Sequence, residues 1–132
     1  MKNTTRIATL TVLVVGGFLL WQHTMASKAT ATSSRSSNVS LVDGQQYVTI
    51  TAKGGYTPAT SVVQGGVPTV LRFDTNGAFD CSATVRIPSL HISQTLPSSG
   101  TTDISIGTLS AGERITGTCS MGMYRFEVDA QG

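Results

Sequence analysis

The chain has 132 residues, 39% of them apolar and 12% charged, with a formal net charge of +2 and only two cysteines. That length holds one domain plus a leader, and the charge divides between them: before Leu41 stand four basic residues and no acidic one, whereas from Leu41 onward five basic residues face seven acidic ones, a net −2. A domain with that balance has no basic patch to track a phosphate backbone, so nucleic acid is excluded as an expected partner.

Lys2 and Arg6 precede an apolar run from Ile7 to Trp21, and the chain turns polar at Gln22 and His23. A basic start followed by about 15 apolar residues has the layout of an export signal. The run is short against the ~20 residues of a membrane span, but flanking Thr residues and an interfacial Trp21 extend it. Residues 1–23 are therefore expected to be a signal or membrane-anchor segment, with an uncleaved anchor favoured over a cleaved signal. With Lys2 and Arg6 inside, the domain then faces out of the cell, at the membrane or secreted or periplasmic if the segment is removed. Residues 24–40 are almost entirely Ser, Thr and Ala, too poor in large apolar groups to offset the entropy of ordering. They read as a flexible linker, and residues 41–132 as the domain.

From Tyr47 the pattern alternates, with Val48, Ile50 and Ala52 against Tyr47, Thr49 and Thr51. Alternation with β-branched residues marks a half-buried strand. Gly54-Gly55 and Pro58 end it, and further runs follow at 61–64, 68–74, 82–87, 91–96, 102–106, 113–118 and 124–129. Pro68 suits the first residue of a strand, where a missing N–H costs least. No stretch after Leu41 has an apolar 3.6-residue period of helical length. Short strands with Gly or Pro punctuation roughly every ten residues predict an all-β sandwich.

Near the C-terminus lies Thr118-Cys119-Ser120-Met121-Gly122-Met123-Tyr124. On an extended backbone a cysteine followed at i+2 and i+4 by methionines puts three sulfurs on one face. Soft sulfur donors select Cu(I) over hard cations. The competing reading makes Met121 and Met123 adaptable filler and Cys119 half of a structural disulfide with Cys81. Such a bridge would close a loop of nearly 40 residues and contribute ~4 kcal/mol by chain entropy, a large share of the ~5–10 kcal/mol expected of a small domain.

Four pieces stand in register: Gly54-Gly55-Tyr56-Thr57-Pro58, then Gly66 to Phe73, then Cys81 to Pro88, then Cys119 to Arg125. Together they resemble the cupredoxin-like domains of small exported bacterial proteins with a Cys…Cys-x-Met-x-Met signature, related to plastocyanin-like domains of copper-handling proteins. The resemblance covers about Tyr47 to Val128. It implies a Greek-key β-sandwich with a metal site at one end, Cys81 in the upstream ligand position, Cys119 leading the loop between the last two strands, and Met121 and Met123 as thioether donors. It also marks departures. The loop has no His, and Gly117 stands where the family has Phe, Ser120 where it has Gly, and Phe126 where it has a later Gly. The missing aromatic at position 117 implies a thinner apolar shell around the sulfur.

The resulting expectation is an extracytoplasmic soft-metal module, with copper as Cu(I) bound by Cys81, Cys119, Met121 and Met123. Its partners would be the copper ion, the membrane through residues 1–23, and a copper-transport or copper-accepting protein. The alternative is a disulfide-stapled sandwich that recognises a partner through its loops without metal. A one-electron carrier is disfavoured, because a copper centre that cycles uses two imidazoles and a thiolate. An enzyme is not expected: no nucleophile–base set or carboxylate pair stands out, His91 reads as a strand-end residue, and Asp80 beside Cys81 reads as a turn residue.

Overall fold

The computed structural model describes residues 35–132, so the segment read as signal or anchor and most of the stretch read as linker lie outside the described residues. Ten strands follow in order: β1 (Val39–Val42), β2 (Gln45–Ala52), β3 (Tyr56–Thr57), β4 (Thr60–Gln64), β5 (Pro68–Asn76), β6 (Thr84–Ile87), β7 (Ile92–Thr95), β8 (Ser99–Thr108), β9 (Arg114–Thr118) and β10 (Arg125–Gln131). The only helical pieces among the described residues are two three-residue 3-10 turns, Cys81–Ala83 and Pro88–Leu90. Each run that alternation predicted contains a strand, although the run 82–87 opens in the 3-10 turn Cys81–Ala83 and is extended only over Thr84–Ile87; Pro68 does open β5.

Two elements were not foreseen. β1 pairs antiparallel with β2 through the two-residue turn Asp43-Gly44, both at positive φ (51° and 76°). Asp-Gly is the preferred sequence for a turn that needs left-handed backbone at both central positions. That dipeptide was the available signal for a hairpin reaching back to Val39. Upstream, the Asn38 amide donates to Thr49 O and Ser61 Oγ, and Ser36 N–H donates to Val62 O. Part of the stretch read as linker is thus tied to the sheets, because the Ser36 backbone and hydroxyl and the Asn38 amide bind strand groups rather than bury apolar surface. β3 is two residues long, too short to show a period.

The strands form two five-stranded sheets. One runs β1-β2-β5-β8 with β3 added to β2, and the other runs β4-β10-β9-β6-β7. β2 and β5 are parallel, as are β4 and β10, while the remaining pairs are antiparallel. The chain crosses between sheets after β3, β4, β5, β7 and β8, which gives the Greek-key β-sandwich its interleaved order. Alternate residues point inward: Val48, Ile50 and Ala52 from β2, Leu71 and Phe73 from β5, Val85 and Ile87 from β6, Phe126, Val128 and Ala130 from β10. Tyr56, Phe73 and Phe126 meet edge to face with centroids 5.1–6.1 Å apart, each such pair adding ~0.5–1.5 kcal/mol beyond area burial. The Tyr56 hydroxyl donates to Thr84 O at 2.8 Å, and burial, with Asp80 second, pushes its pKa well up. Where the β4–β5 connection closes the sandwich, the buried Gln46 amide donates to Gln64 O and Thr69 Oγ1 and accepts from Gln64 N–H.

Candidate metal centre

Three connections converge at one end of the sandwich: β2 to β3, β5 to β6, and β9 to β10. Asp80 holds the first two together. It caps the 3-10 turn that starts at Cys81, its carboxylate accepting from Ser82 N–H at 2.8 Å and from the Ser82 hydroxyl, and it reaches across to Gly54 N–H at 2.7 Å. These hydrogen bonds, the Ser82 hydroxyl first, hold the Asp80 carboxyl below the usual carboxylate range. Asp80 is thus the turn residue its position suggested, and its task is to aim Cys81.

Cys119 follows the last residue of β9. Its carbonyl accepts from Gly122 N–H at 3.1 Å and its N–H donates to Tyr124 O at 3.1 Å, which folds residues 119–124 into a tight loop. Gly122 has φ +70°, a left-handed conformation that glycine adopts without cost. The expectation of an extended Cys-x-Met-x-Met face is therefore corrected: this segment is a turn, so Met121 and Met123 do not stand in a strand row with Cys119. Their side chains are 72% and 67% exposed at the loop surface.

The fold brings Cys81 and Cys119 together across 38 positions, with Cα atoms 5.6 Å apart, and they are joined as a disulfide. Cys119 is buried, 1% exposed, whereas Cys81 is partly exposed. Backbone amides face both sulfurs: Met121 N–H lies 3.5 Å from Cys81 Sγ, and Tyr124 N–H lies 3.4 Å from Cys119 Sγ. The Ser120 hydroxyl sits 3.7 Å from Cys81 Sγ. N–H groups directed at sulfur stabilise thiolate charge, so the same donors would favour thiolate over thiol if the bridge were opened. Among the described residues no cluster of three or more His, Cys, Asp or Glu side chains is placed to hold a metal. The sulfur groups at this end are the two bridged cysteines and the loop thioethers of Met121 and Met123, and thiolate and thioether sulfur are soft donors once such a bridge is opened. His91 lies away from them, at a left-handed position (φ 55°) after the second 3-10 turn, in a cleft that none of the four sulfur residues lines.

The expected thinning of the apolar shell at Gly117 is also corrected. Phe126 is the direct cross-strand partner of Gly117. Its ring covers the glycine so closely that a Cβ there would fall 2.1 Å from Phe126 Cζ. The aromatic missing from β9 is supplied by β10, in the same core cluster as Cys119. One feature of this end went unread in the sequence: Phe79, two residues before Cys81, is 85% exposed and shares this end with the exposed methionines. An isolated aromatic in a Gly-Ala-Phe-Asp loop has no periodicity to reveal which way it points.

A family model described as a cupredoxin-like domain matches residues 13–128. No curated protein sequence matches the chain. Among solved structures, a copper-binding protein in the apo form, determined by NMR, superposes with a TM-score of 0.63 at 22% identity, covering 70% of this chain and 94% of that one. The metal-binding domain of the Streptococcus pneumoniae D39 Cu(I)-exporting P-type ATPase CopA, with Cu(I), superposes with a TM-score of 0.62 at 23% identity, covering 71% of this chain and 93% of that one.

Proposed function

Because the chain belongs to the cupredoxin-like domain family, we propose that it is an extracytoplasmic copper-binding module that takes Cu(I) as cargo for handling or delivery. The observation that carries the reading is the placement of Cys81 beside Cys119 across 38 positions, under a loop that presents Met121 and Met123. Similarity in fold to a copper-binding protein and to a Cu(I)-bearing domain supports it. The bridged form has no thiolate to offer. A dithiol reductant would supply two electrons and two protons to open the bridge, and Cu(I) would then displace protons from the thiols. Without imidazole in the donor set, the loaded site should lack the intense blue of a two-His, one-Cys copper centre. The proposal is for a binding protein and not an enzyme. Residues 1–23 would hold it at the membrane with the domain outside, and exposed Phe79, Met121 and Met123 would meet a copper-donating or copper-accepting protein.

Competition titration with a Cu(I) chelator, under reducing and anaerobic conditions, tests this. Wild type should bind one Cu(I), Cys119→Ser should not, and Met121→Leu and Met123→Leu should bind more weakly, because thioethers are the weaker donors. Equal affinity in all four means that the sulfurs are structural. The bridge itself favours the second reading, a disulfide-stapled interaction module without metal, and equal affinity in all four is the outcome that reading expects.

A further inference from the structure

Of the six lysines and arginines among the described residues, Arg72 is paired with Asp103 at 2.7 Å, Arg114 with Asp129 at 2.5 Å, Arg35 donates to Gln64 at 2.7 Å, and Lys53 lies in the β2–β3 connection of the other sheet. Arg86 and Arg125 have no carboxylate partner among the described residues. Strand register puts them on one row. Arg125 of β10 stands directly opposite Thr118 of β9, Thr118 opposite Arg86 of β6, and Arg86 opposite Ser93 of β7. Val85, Ile87 and Phe126 point into the core, so this row lies on the outer face of the sheet, and Arg86, Ser93 and Arg125 are exposed. Cross-strand neighbours are ~5 Å apart at Cα, so Arg86 and Arg125 stand roughly 10 Å apart at Cα on either side of Thr118, a gap that two long side chains can close on a single ligand.

Beside Arg86 a cleft of about 380 Å³ opens, lined by Arg86, Pro88, His91, Ile92 and Ser93, with no acidic residue in its wall. That volume is at the lower end of small-ligand sites. The nearest carboxylate along β10, on the same face as Arg125, is Glu127, and it is turned toward Arg114 at 3.9 Å. Among the described residues the Arg86 guanidinium makes one polar contact, a long one of 3.5 Å from Nη1 to Ser120 O, which a ligand could replace.

We propose that the outer face of this sheet carries a binding site for a small oxyanion, a carboxylate or a phosphate, held between Arg86 and Arg125. Guanidinium groups bind both anions through paired N–H donors. Thr118, between the two arginines, adds a hydroxyl, and the cleft on the other side of Arg86 offers Ser93, His91, Pro88 and Ile92 to an organic tail. Two arginines are too few to follow a nucleic-acid backbone, which fits a small ligand. The site does not rest on the copper reading. It does touch the cysteine loop, since the Arg86 guanidinium reaches the carbonyl of the residue after Cys119.

The test is a titration of the disulfide form, without metal, with inorganic phosphate in one arm and citrate in the other. It is followed by NMR at the arginine Nε–H groups and the backbone amides. The expected result in at least one arm is a saturating shift at Arg86 and Arg125 Nε–H, accompanied by Met121 N–H in the loop. Arg86→Gln and Arg125→Gln should each weaken binding at least tenfold, and Arg72→Gln, on the other sheet, should leave it unchanged. Saturation with phosphate alone assigns a phosphate ligand, and with citrate alone a carboxylate. Shifts that grow linearly in both arms, or that persist in the Arg86→Gln and Arg125→Gln variants, overturn the proposal.

Discussion

Exchanging the residues at positions 117 and 126 probes the feature that most distinguishes this domain's core. A Cβ on Gly117 would lie 2.1 Å from Phe126 Cζ, 2.2 Å from Cε1 and 2.9 Å from Cε2, where carbon atoms need ~3.5–4.0 Å. The ring would have to retreat by roughly 1.5 Å to reach that separation. It cannot do so freely, since Phe126 is fully buried and packed edge-on against Tyr56 at 5.1 Å and Phe73 at 5.5 Å. Overpacking costs typically ~1–3 kcal/mol and occasionally more, and here the contact is with a ring already hemmed in, so Gly117→Ala should cost about 3 kcal/mol. Phe126→Ala removes a buried ring and should cost ~3–5 kcal/mol. Either change takes a large part of the ~5–10 kcal/mol available to a domain of this size. The double change Gly117→Phe with Phe126→Gly should recover most of the loss, because the new ring enters the same space from the directly opposite strand position. Urea unfolding followed by circular dichroism, with the disulfide intact throughout, gives the three free energies. The reasoning fails if Gly117→Ala lies within ~0.5 kcal/mol of wild type, the range of an ordinary surface change, or if the exchanged variant is no more stable than Phe126→Ala.

Reducing the Cys81–Cys119 bridge should lower stability by ~4 kcal/mol through the loop-closure entropy of 38 residues, and Cu(I) should return part of it by binding only the folded form. Thermal melts of oxidised, reduced, and reduced copper-loaded protein check both steps, and a reduced form as stable as the oxidised one would contradict them. Met121→Leu and Met123→Leu, at side chains 72% and 67% exposed, should shift stability by less than ~0.5 kcal/mol while weakening Cu(I) binding, which separates a ligand role from a packing role. The Asp80 carboxyl is held low by Ser82 and Gly54. Its contribution is complete above the ordinary carboxylate value of ~3.9 and is lost as the pH falls through the lower folded value. Acid unfolding of Asp80→Asn should therefore be less steep below about pH 4 than that of wild type, and identical profiles would count against Asp80 as the group that fixes the Cys81 turn.

The strands were legible because a two-residue period and glycine or proline breaks are local properties, and β2, β5, β9 and β10 need nothing distant to declare themselves. Asp43-Gly44 carried the β1 hairpin in the same local code. The sulfur inventory was legible too, since only Cys81, Cys119, Met121 and Met123 lie in the domain. That Cys81 lies beside Cys119 followed from family resemblance and not from any local pattern, because contact across 38 positions depends on how two sheets close over one core. Tertiary structure alone decided the rest. Gly122 bends the loop through a left-handed conformation that ends the strand period, so the methionines leave the cysteine row. Phe126 fills the space over Gly117 because cross-strand register, not sequence distance, sets which residues share a volume. For the same reason Arg86 and Arg125, 39 positions apart in the sequence, flank one threonine: a sheet face gathers residues by hydrogen-bonded register, and composition holds no record of that pairing.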